Sequence, residues 1–475
     1  MVPQRLSDEQ MRGFIRDGYL LVTPDLPVDF HQDVFRQTES MFEQEGNPGN
    51  NLIARIPAIN NVFNDAAVTG ALTGFLGPNY YMHPHRHCHY NPPGSAGQQL
   101  HKDGFSRRRH RTRWILAMYY PQDTTEDMGP TAIVPRTQYY NTSTGGTRDD
   151  EIPLPVPAGT VAIVNYDIWH RGTANRSQKK RYMMKFLFYR MEEPRGPSWD
   201  NDQAEWEGID SEHDEMWTSI WDWHRGGANG EAAGKKRKAG RSVDELVASM
   251  VNDPEPACVD AAYELGRLGP DALPALMEAL QADHGEVAST ADTPYGKLAK
   301  ASRSEEVRRN ISYALVAVGA PAVPELIAAT EHGDWWVRDT AVEALGDIGL
   351  QAREAVPSLV ERLEDESLQV RRHASEALGM AGQKGPAAVP ALSGVLRQDD
   401  EVGRRNAALA LARIGPSAHD AVPALKEALG DDDRYVRGKA VEALNRIGTP
   451  DAREPLIDYL MSSRWCDLTT ADSLY

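Results

Sequence analysis

His101 and Asp103 stand two residues apart in Gln98-Gln99-Leu100-His101-Lys102-Asp103-Gly104. If that segment is a strand, the imidazole and the carboxylate share one face, because strand side chains alternate with period two. Both then reach one metal ion from neighbouring positions. Two protein ligands leave a working site incomplete. The best candidate for a third is His170, in Val164-Asn165-Tyr166-Asp167-Ile168-Trp169-His170-Arg171-Gly172. Two His and one carboxylate make a facial triad that suits ferrous iron and leaves positions open for a co-substrate and oxygen. An HxD pair alone is common, so the weight falls on the residues beyond His170.

Eleven residues beyond His170 lies Arg181, within Asn175-Arg176-Ser177-Gln178-Lys179-Lys180-Arg181-Tyr182. A guanidinium clamps a carboxylate such as that of 2-oxoglutarate through two parallel hydrogen bonds, and paired strands can bring it beside the metal. The order HxD, distant His, then Arg resembles the phytanoyl-CoA dioxygenase family of Fe(II)/2-oxoglutarate oxygenases. Leu6-Ser7-Asp8-Glu9-Gln10 through Phe14 and Asp17-Gly18-Tyr19-Leu20 is similar to that family's first helix and strand. Met128-Gly129-Pro130-Thr131-Ala132-Ile133-Val134-Pro135-Arg136-Thr137-Gln138 resembles its turn and strand between the metal motifs. Pro157-Ala158-Gly159-Thr160-Val161-Ala162 resembles the lead into the distal His. The likeness spans roughly residues 5–225. It implies that His101, Asp103 and His170 bind Fe(II) and that Arg181 binds 2-oxoglutarate. It also implies that molecular oxygen is the oxidant. Oxidative decarboxylation to succinate and carbon dioxide is then coupled to hydroxylation of an unactivated C–H bond. Relatives that halogenate lack the carboxylate ligand, and Asp103 is present, which favours hydroxylation. Gln99, Arg113, Tyr166 and Trp169, with Asp167, are candidates to touch substrate or orient the ligands; packing explains Tyr166, Trp169 and Asp167 as readily.

Around these residues the chain offers elements to hold them. Met11, Phe14 and Ile15 lie at helical spacing behind Ser7, a suitable N-cap. Val28–Phe42 and Asn64–Leu76 read as further helices. From Tyr80 the period becomes two, and His83, His85, His87 and His89 alternate on one strand face. They suit a polar active-site wall better than a second metal site. Pro84 in that run points to an edge strand. Arg107-Arg108-Arg109-His110-Arg111-Thr112-Arg113 reads equally as a receiver of an anionic substrate and as a solvated loop, or one with a single Arg buried in structural pairing. Trp114–Tyr120 is a continuous apolar strand, and Thr142–Asp150 reads as a mobile loop over the site. Short strands between turns around a ligand suit a double-stranded β-helix of jelly-roll type. Trp199, Trp206, Trp217, Trp221 and Trp223 read as packing on the barrel in preference to a substrate lid.

After a Gly/Ala-rich charged linker at 226–240, with Lys235-Lys236-Arg237-Lys238, the chain repeats itself. Glu343-Ala344-Leu345, Glu376-Ala377-Leu378, Leu409-Ala410-Leu411 and Glu442-Ala443-Leu444 recur every 33 residues. Gly349, Gly382, Gly415 and Gly448 keep the same phase. One helix pair cannot bury its own face, whereas stacked pairs make a continuous core. The pattern resembles HEAT repeats of the short phycobilin-lyase-like kind, six units over about 241–462, with an insertion near Ala282–Arg303 and a cap or frayed end from Ser463. The expected organisation is multidomain α+β: a jelly-roll oxygenase domain at 1–225, the linker, and an all-α HEAT-like solenoid at 241–475.

Length and composition agree with such a chain. Its 475 residues suffice for two to four domains at ~100–200 residues each. No run approaches the ~18 apolar residues of a membrane span, and Met1-Val2-Pro3-Gln4-Arg5 has no signal-peptide pattern. Cys88, Cys258 and Cys466 form no CxxC pair, which fits a reducing cytoplasm. Residues 241–475 hold 24 Lys+Arg against 39 Asp+Glu, a net of −15, while residues 1–240 hold 27 against 30. That acidity repels phosphate backbones, so nucleic acid is not an expected partner. The expected substrate is a small molecule, with the solenoid assisting recognition. A peptide, protein or carrier-borne substrate held by the repeats is the second reading. A scaffold with an inactive oxygenase domain is the third, and an intact set of His101, Asp103, His170 and Arg181 speaks against it. Catalysis in the repeats, as in HEAT-type di-iron deoxyhypusine hydroxylases, needs His-Glu pairs. His284, His332, His373 and His419 are none of them followed by Glu.

Overall fold

The computed structural model describes residues 2–103, 109–140, 150–206, 213–227, 240–285 and 303–462. The helix Asp8–Asp17 begins in a capping box, where Ser7 accepts from the Gln10 amide and the Gln10 side chain accepts from the Ser7 amide. It buries Met11, Phe14 and Ile15 and stops at Gly18, whose φ of 82° is left-handed. A side chain there would also strike Gln138, 2.7 Å from the ideal Cβ.

Among the described residues eight strands make up the sheets, all paired antiparallel: β1 (Tyr19–Val22), β2 (Tyr81–Asn91), β3 (Trp114–Tyr119), β4 (Thr131–Val134), β5 (Ile152–Pro153), β6 (Val161–Asn165), β7 (Trp169–Gly172) and β8 (Arg181–Tyr189). One sheet has the order β1-β6-β3-β8-β2 and the other β5-β4-β7. This is the expected two-sheet jelly roll. The alternation along β8 decides what each face meets. Tyr182, Phe186 and Phe188 point outward, where Phe42 stands 5.1 Å from the Tyr182 ring and Phe63 4.5 Å from Phe186. The helices Val28–Glu45 and Ile59–Phe63 thus cover the outer face. Arg181, Met183 and Lys185 point inward, to the space between the sheets.

Strand β2 is an edge, as Pro84 suggested, and its pairing with β8 slips between Met82 and Arg86. The solenoid helix Arg434–Ile447 covers this edge: Tyr81 Oη donates to the Gly438 carbonyl at 3.2 Å, and an ideal Cβ on Gly438 would fall 2.5 Å from the Pro84 ring. A missing side chain on one element and a missing N–H on the other permit the close approach.

The repeats are helix pairs. Gly269, Gly319, Gly349 and Gly415 end first helices with positive φ, and Pro274, Pro324, Pro357, Pro390 and Pro423 sit in the first turn of second helices. Gly346 abuts Ala377 and Gly379 abuts Ala410, with room for no further atom. Ion pairs join successive units: buried Arg338 Nε donates to Asp365 Oδ2 at 2.8 Å, and half-buried Arg404 Nε to Asp431 Oδ2 at 2.7 Å. The loop residues 141–149, the linker residues 228–239, the insertion residues 286–302 and the tail from Ser463 lie outside the described residues.

Arg107 and Arg108 of the basic run lie outside the described residues, and from Arg109 on the run is engaged in structural pairing. Arg109 Nη1 lies 3.1 Å from Glu376 and 3.3 Å from Asp347, both on the solenoid. The His110 ring stacks on Tyr313 at 3.8 Å, and its Nδ1 is 2.9 Å from Tyr263 Oη. Arg113 pairs with Glu193 and, at 3.5 Å, with Asp347. The Trp-rich helix Asp214–His224 packs as expected; Trp217 and Trp221 are buried, and Trp223 lies beneath the guanidinium groups of Arg111, Arg113 and Arg190. Among the described residues no single helix is long and apolar enough to cross a membrane.

Candidate metal centre

His101 is not on a regular strand. It forms a lone antiparallel bridge with His170 of β7, in which each backbone N–H donates to the other's carbonyl, at 3.0 and 2.9 Å. Directly opposed residues on an antiparallel pair present their side chains to one side, and the two imidazole centroids stand 4.5 Å apart. The expected shared strand face of His101 and Asp103 is therefore replaced by a bend that turns Asp103 back toward both rings. Asp103 Oδ1 lies 3.9 Å from His101 Nε2, and Oδ2 lies 3.6 Å from His170 Nε2.

The ring orientations are fixed from behind. His101 Nδ1 is 2.8 Å from the Gln99 carbonyl and His170 Nδ1 is 3.1 Å from the Ile168 carbonyl. A carbonyl only accepts, so each Nδ1 carries the proton and each Nε2 keeps its lone pair toward Asp103. Burial pushes the His170 imidazole down to about 4, against the pull of Asp103, which keeps it in the neutral form that ligates. Burial works to raise the Asp103 carboxyl, but Lys185, His170 and His101 outweigh it and hold it at about 2. Lys185 Nζ donates to Asp103 Oδ2 at 2.8 Å.

Arg181 comes from the other sheet and faces these ligands across the interior. Its guanidinium is 2% exposed and donates through Nε and Nη2 to the Gly129 carbonyl, at 3.1 and 2.6 Å. Gly129, at φ 72°, belongs to the Met128-Gly129-Pro130 turn. A Cβ there would meet Asn91 Nδ2 at 2.4 Å, so the turn needs Gly as an anchor for the arginine. His101, His170, Arg181 and Lys185 line one cleft, together with His89, Asn91, Gln98 and Thr131.

The other expected residues divide between the cleft and its supports. Gln99 serves through its carbonyl, and it is Gln98 that lines the cleft and accepts from the Gly172 amide at 2.9 Å. Arg113 is spent on the solenoid interface and does not line the cleft. Tyr166 packs on Trp114 at 5.2 Å, and the Trp169 ring lies 5.7 Å from Lys102 Nζ. Of the four β2 histidines only His89 lines the cleft. His83 packs edge-on to Tyr189 and Tyr435, and His85 Nδ1 is 2.7 Å from Tyr435 Oη. Lys185 belongs to no motif of the sequence, although its spacing of four from Arg181 places it on the same strand face.

Among the described residues one further group brings ligand atoms within 4.8 Å: Asp339, Glu343 and His373. The solenoid thus does hold a His-carboxylate cluster, which a search for adjacent His-Glu pairs overlooks because it spans two helices. Asp339 Oδ1 lies only 2.5 Å from His373 Nδ1. Two ligands of one ion with bonds near 2.1 Å stand about 3 Å apart or more, and the Asp339–His373 contact is tighter than that. The wider spacings around Asp103 leave room for an ion between the groups.

Residues 10–183 match the phytanoyl-CoA dioxygenase (PhyH) family model. Residues 295–379, 350–411 and 395–471 match HEAT repeats, and residues 258–282 match the PBS lyase HEAT-like repeat. No curated protein matches the chain. Among solved structures, the non-heme alpha ketoglutarate dependent carbocyclase SnoK from nogalamycin biosynthesis is 16% identical over 40% of this chain and 88% of its own, with a TM-score of 0.33. EctD from S. alaskensis, solved with 2-oxoglutarate and 5-hydroxyectoine, is 15% identical over 39% of this chain and 77% of its own, with a TM-score of 0.34. A non-heme monooxygenase, the ThoJ-Ni complex, is 13% identical over 45% and 94%, with a TM-score of 0.32.

Proposed function

We propose that this chain, an Fe(II)/2-oxoglutarate oxygenase that joins a phytanoyl-CoA dioxygenase domain to HEAT repeats, hydroxylates an unactivated C–H bond of a small-molecule substrate. The observation that carries the reading is the meeting of His101, Asp103 and His170 from one side of the cleft with Arg181 from the other. His101 Nε2, His170 Nε2 and an Asp103 oxygen are the donors for Fe(II), a set that suits this metal and leaves positions open. Iron with 2-oxoglutarate and oxygen supplies the oxidising chemistry. The protein holds the neutral imidazoles by their Nδ1 protons and keeps Asp103 ionised. Arg181 receives the distal carboxylate of 2-oxoglutarate, with Gly129 holding the guanidinium in place. Gly172, beside the arginine, leaves space where a side chain would intrude, since its ideal Cβ falls 3.2 Å from Arg181 Nη2. The solenoid assists recognition, its Tyr435 reaching His85 on the strand that also bears His89.

Asp103→Ala removes one ligand and should abolish succinate formation from 2-oxoglutarate and Fe(II), with the circular dichroism spectrum of the protein unchanged. Wild-type turnover in that variant sinks the assignment. Oxygen-18 gas supplied with cell extract labels the hydroxylated product for mass spectrometry. Label in a peptide or carrier-borne product selects the second substrate class.

A further inference from the structure

Lys185 is the charged residue of the cleft that the oxygenase chemistry leaves without a role. It shares the inward face of β8 with Arg181. Four residues of strand at ~3.3 Å each separate their backbones by ~13 Å, so the two cations serve different ends of the cleft. The Lys185 side chain is 11% exposed, and its Nζ sits 2.8 Å from Asp103 Oδ2. Oδ2 also lies 3.6 Å from His170 Nε2, while the other oxygen, Oδ1, lies 3.9 Å from His101 Nε2 and carries no donor from Lys185. A carboxylate gripped at one oxygen has the other to give.

We propose that Lys185 is a positioning residue, holding Asp103 Oδ2 so that the carboxylate presents a single oxygen to the metal and leaves the neighbouring coordination position open. The proposal rests on His101, Asp103 and His170 being the metal ligands. An opposing effect comes from charge. An ammonium beside a divalent cation repels it, so a lysine that merely neutralised Asp103 in the absence of metal would compete with the ion. The two effects have opposite signs in metal affinity.

Co(II), whose visible absorption reports coordination number, is titrated anaerobically into the full-length protein, into Lys185→Met, which keeps chain length without a donor, and into Lys185→Arg, which keeps a charged donor. Lys185→Ala replaces the Met variant if that one does not fold. Loss of the donor should weaken Co(II) binding ~10–100-fold and alter the spectrum, and Lys185→Arg should restore both toward wild type. Unchanged or tighter binding by Lys185→Met with the wild-type spectrum overturns the positioning role, as does failure of Lys185→Arg to restore either property. Failure of the wild-type protein to bind Co(II), or undiminished binding by Asp103→Ala, overturns the metal-centre reading instead.

Discussion

Glu193 tests how firmly the solenoid is built into the oxygenase. Its carboxylate is buried with Arg113 and also accepts from Trp223 Nε1 at 3.2 Å. On the solenoid side an ideal Cβ on Gly349 would stand 3.0 Å from the carboxylate, and Gln383 Oε1 accepts from the Glu193 amide. Glu193→Gln keeps the shape and removes the charge. Removing one partner of a buried pair costs ~3–5 kcal/mol. Asp347 remains 3.5 Å from Arg113 as a second counter-charge, so the lower end, about 3 kcal/mol, applies. At ~2.1 cal/mol/K per residue, a cooperative unit of all 475 residues has an unfolding entropy near 1 kcal/mol/K. Tm in scanning calorimetry at pH 7 then falls by about 3 °C, or about 6 °C if half the chain melts as the unit. The pH dependence fixes the cause. Burial works to raise the Glu193 carboxyl, but Arg113, with Arg111 and Arg190, holds it below its ordinary value of 4.5. A lowered folded pKa gives stability that is complete above that ordinary value and is lost as pH falls through the lowered one. The Tm gap between wild type and Glu193→Gln should therefore be full at neutral pH and shrink on acidification below 4.5. Equal Tm values at pH 7, or a gap that persists undiminished in acid, would refute the charge argument.

Arg181→Ala should raise the apparent KM for 2-oxoglutarate steeply, because losing a bidentate charge pair in a closed site costs ~2–5 kcal/mol, a factor of about 30 or more. The exposed Arg176→Ala is the control, and a KM effect there in place of Arg181 redirects the assignment. Gly438→Val puts atoms where the Pro84 ring already lies and should lower Tm by pushing the helix Arg434–Ile447 off the β2 edge, at ~1–3 kcal/mol of overpacking. Gly394→Ala, with nothing within 4 Å of its ideal Cβ, should leave Tm unchanged or raise it slightly.

What could be read from the sequence was set by local rules. The 33-residue period of Gly and Ala-Leu pairs announces the repeats because each unit must present the same small residues to the next, as Gly346 does to Ala377. The types and order of the proposed ligands could be read because iron chemistry needs them. Their geometry was not, since it depends on contacts between distant segments. A period of two says which side chains share a face and is silent on what that face meets. Thus the His101–His170 bridge, and the approach of Arg181 from the opposite sheet, come from how the strands pair and how the two sheets face each other. The basic run shows the same limit. Arg109 and Arg113 stand close in sequence to the proposed metal ligands, yet their partners are Glu376, Asp347 and Glu193, 80 to 267 residues on (193 − 113 and 376 − 109). A buried arginine must find a counter-charge wherever the fold supplies one; here Glu193 of the oxygenase domain and Asp347 and Glu376 of the solenoid supply it. Among the described residues the solenoid is pinned to the oxygenase sheet by the ion pairs of Arg109 and Arg113 and by contacts with Tyr81, Pro84 and His85 along one strand edge, where Tyr435 meets the strand that also bears His89.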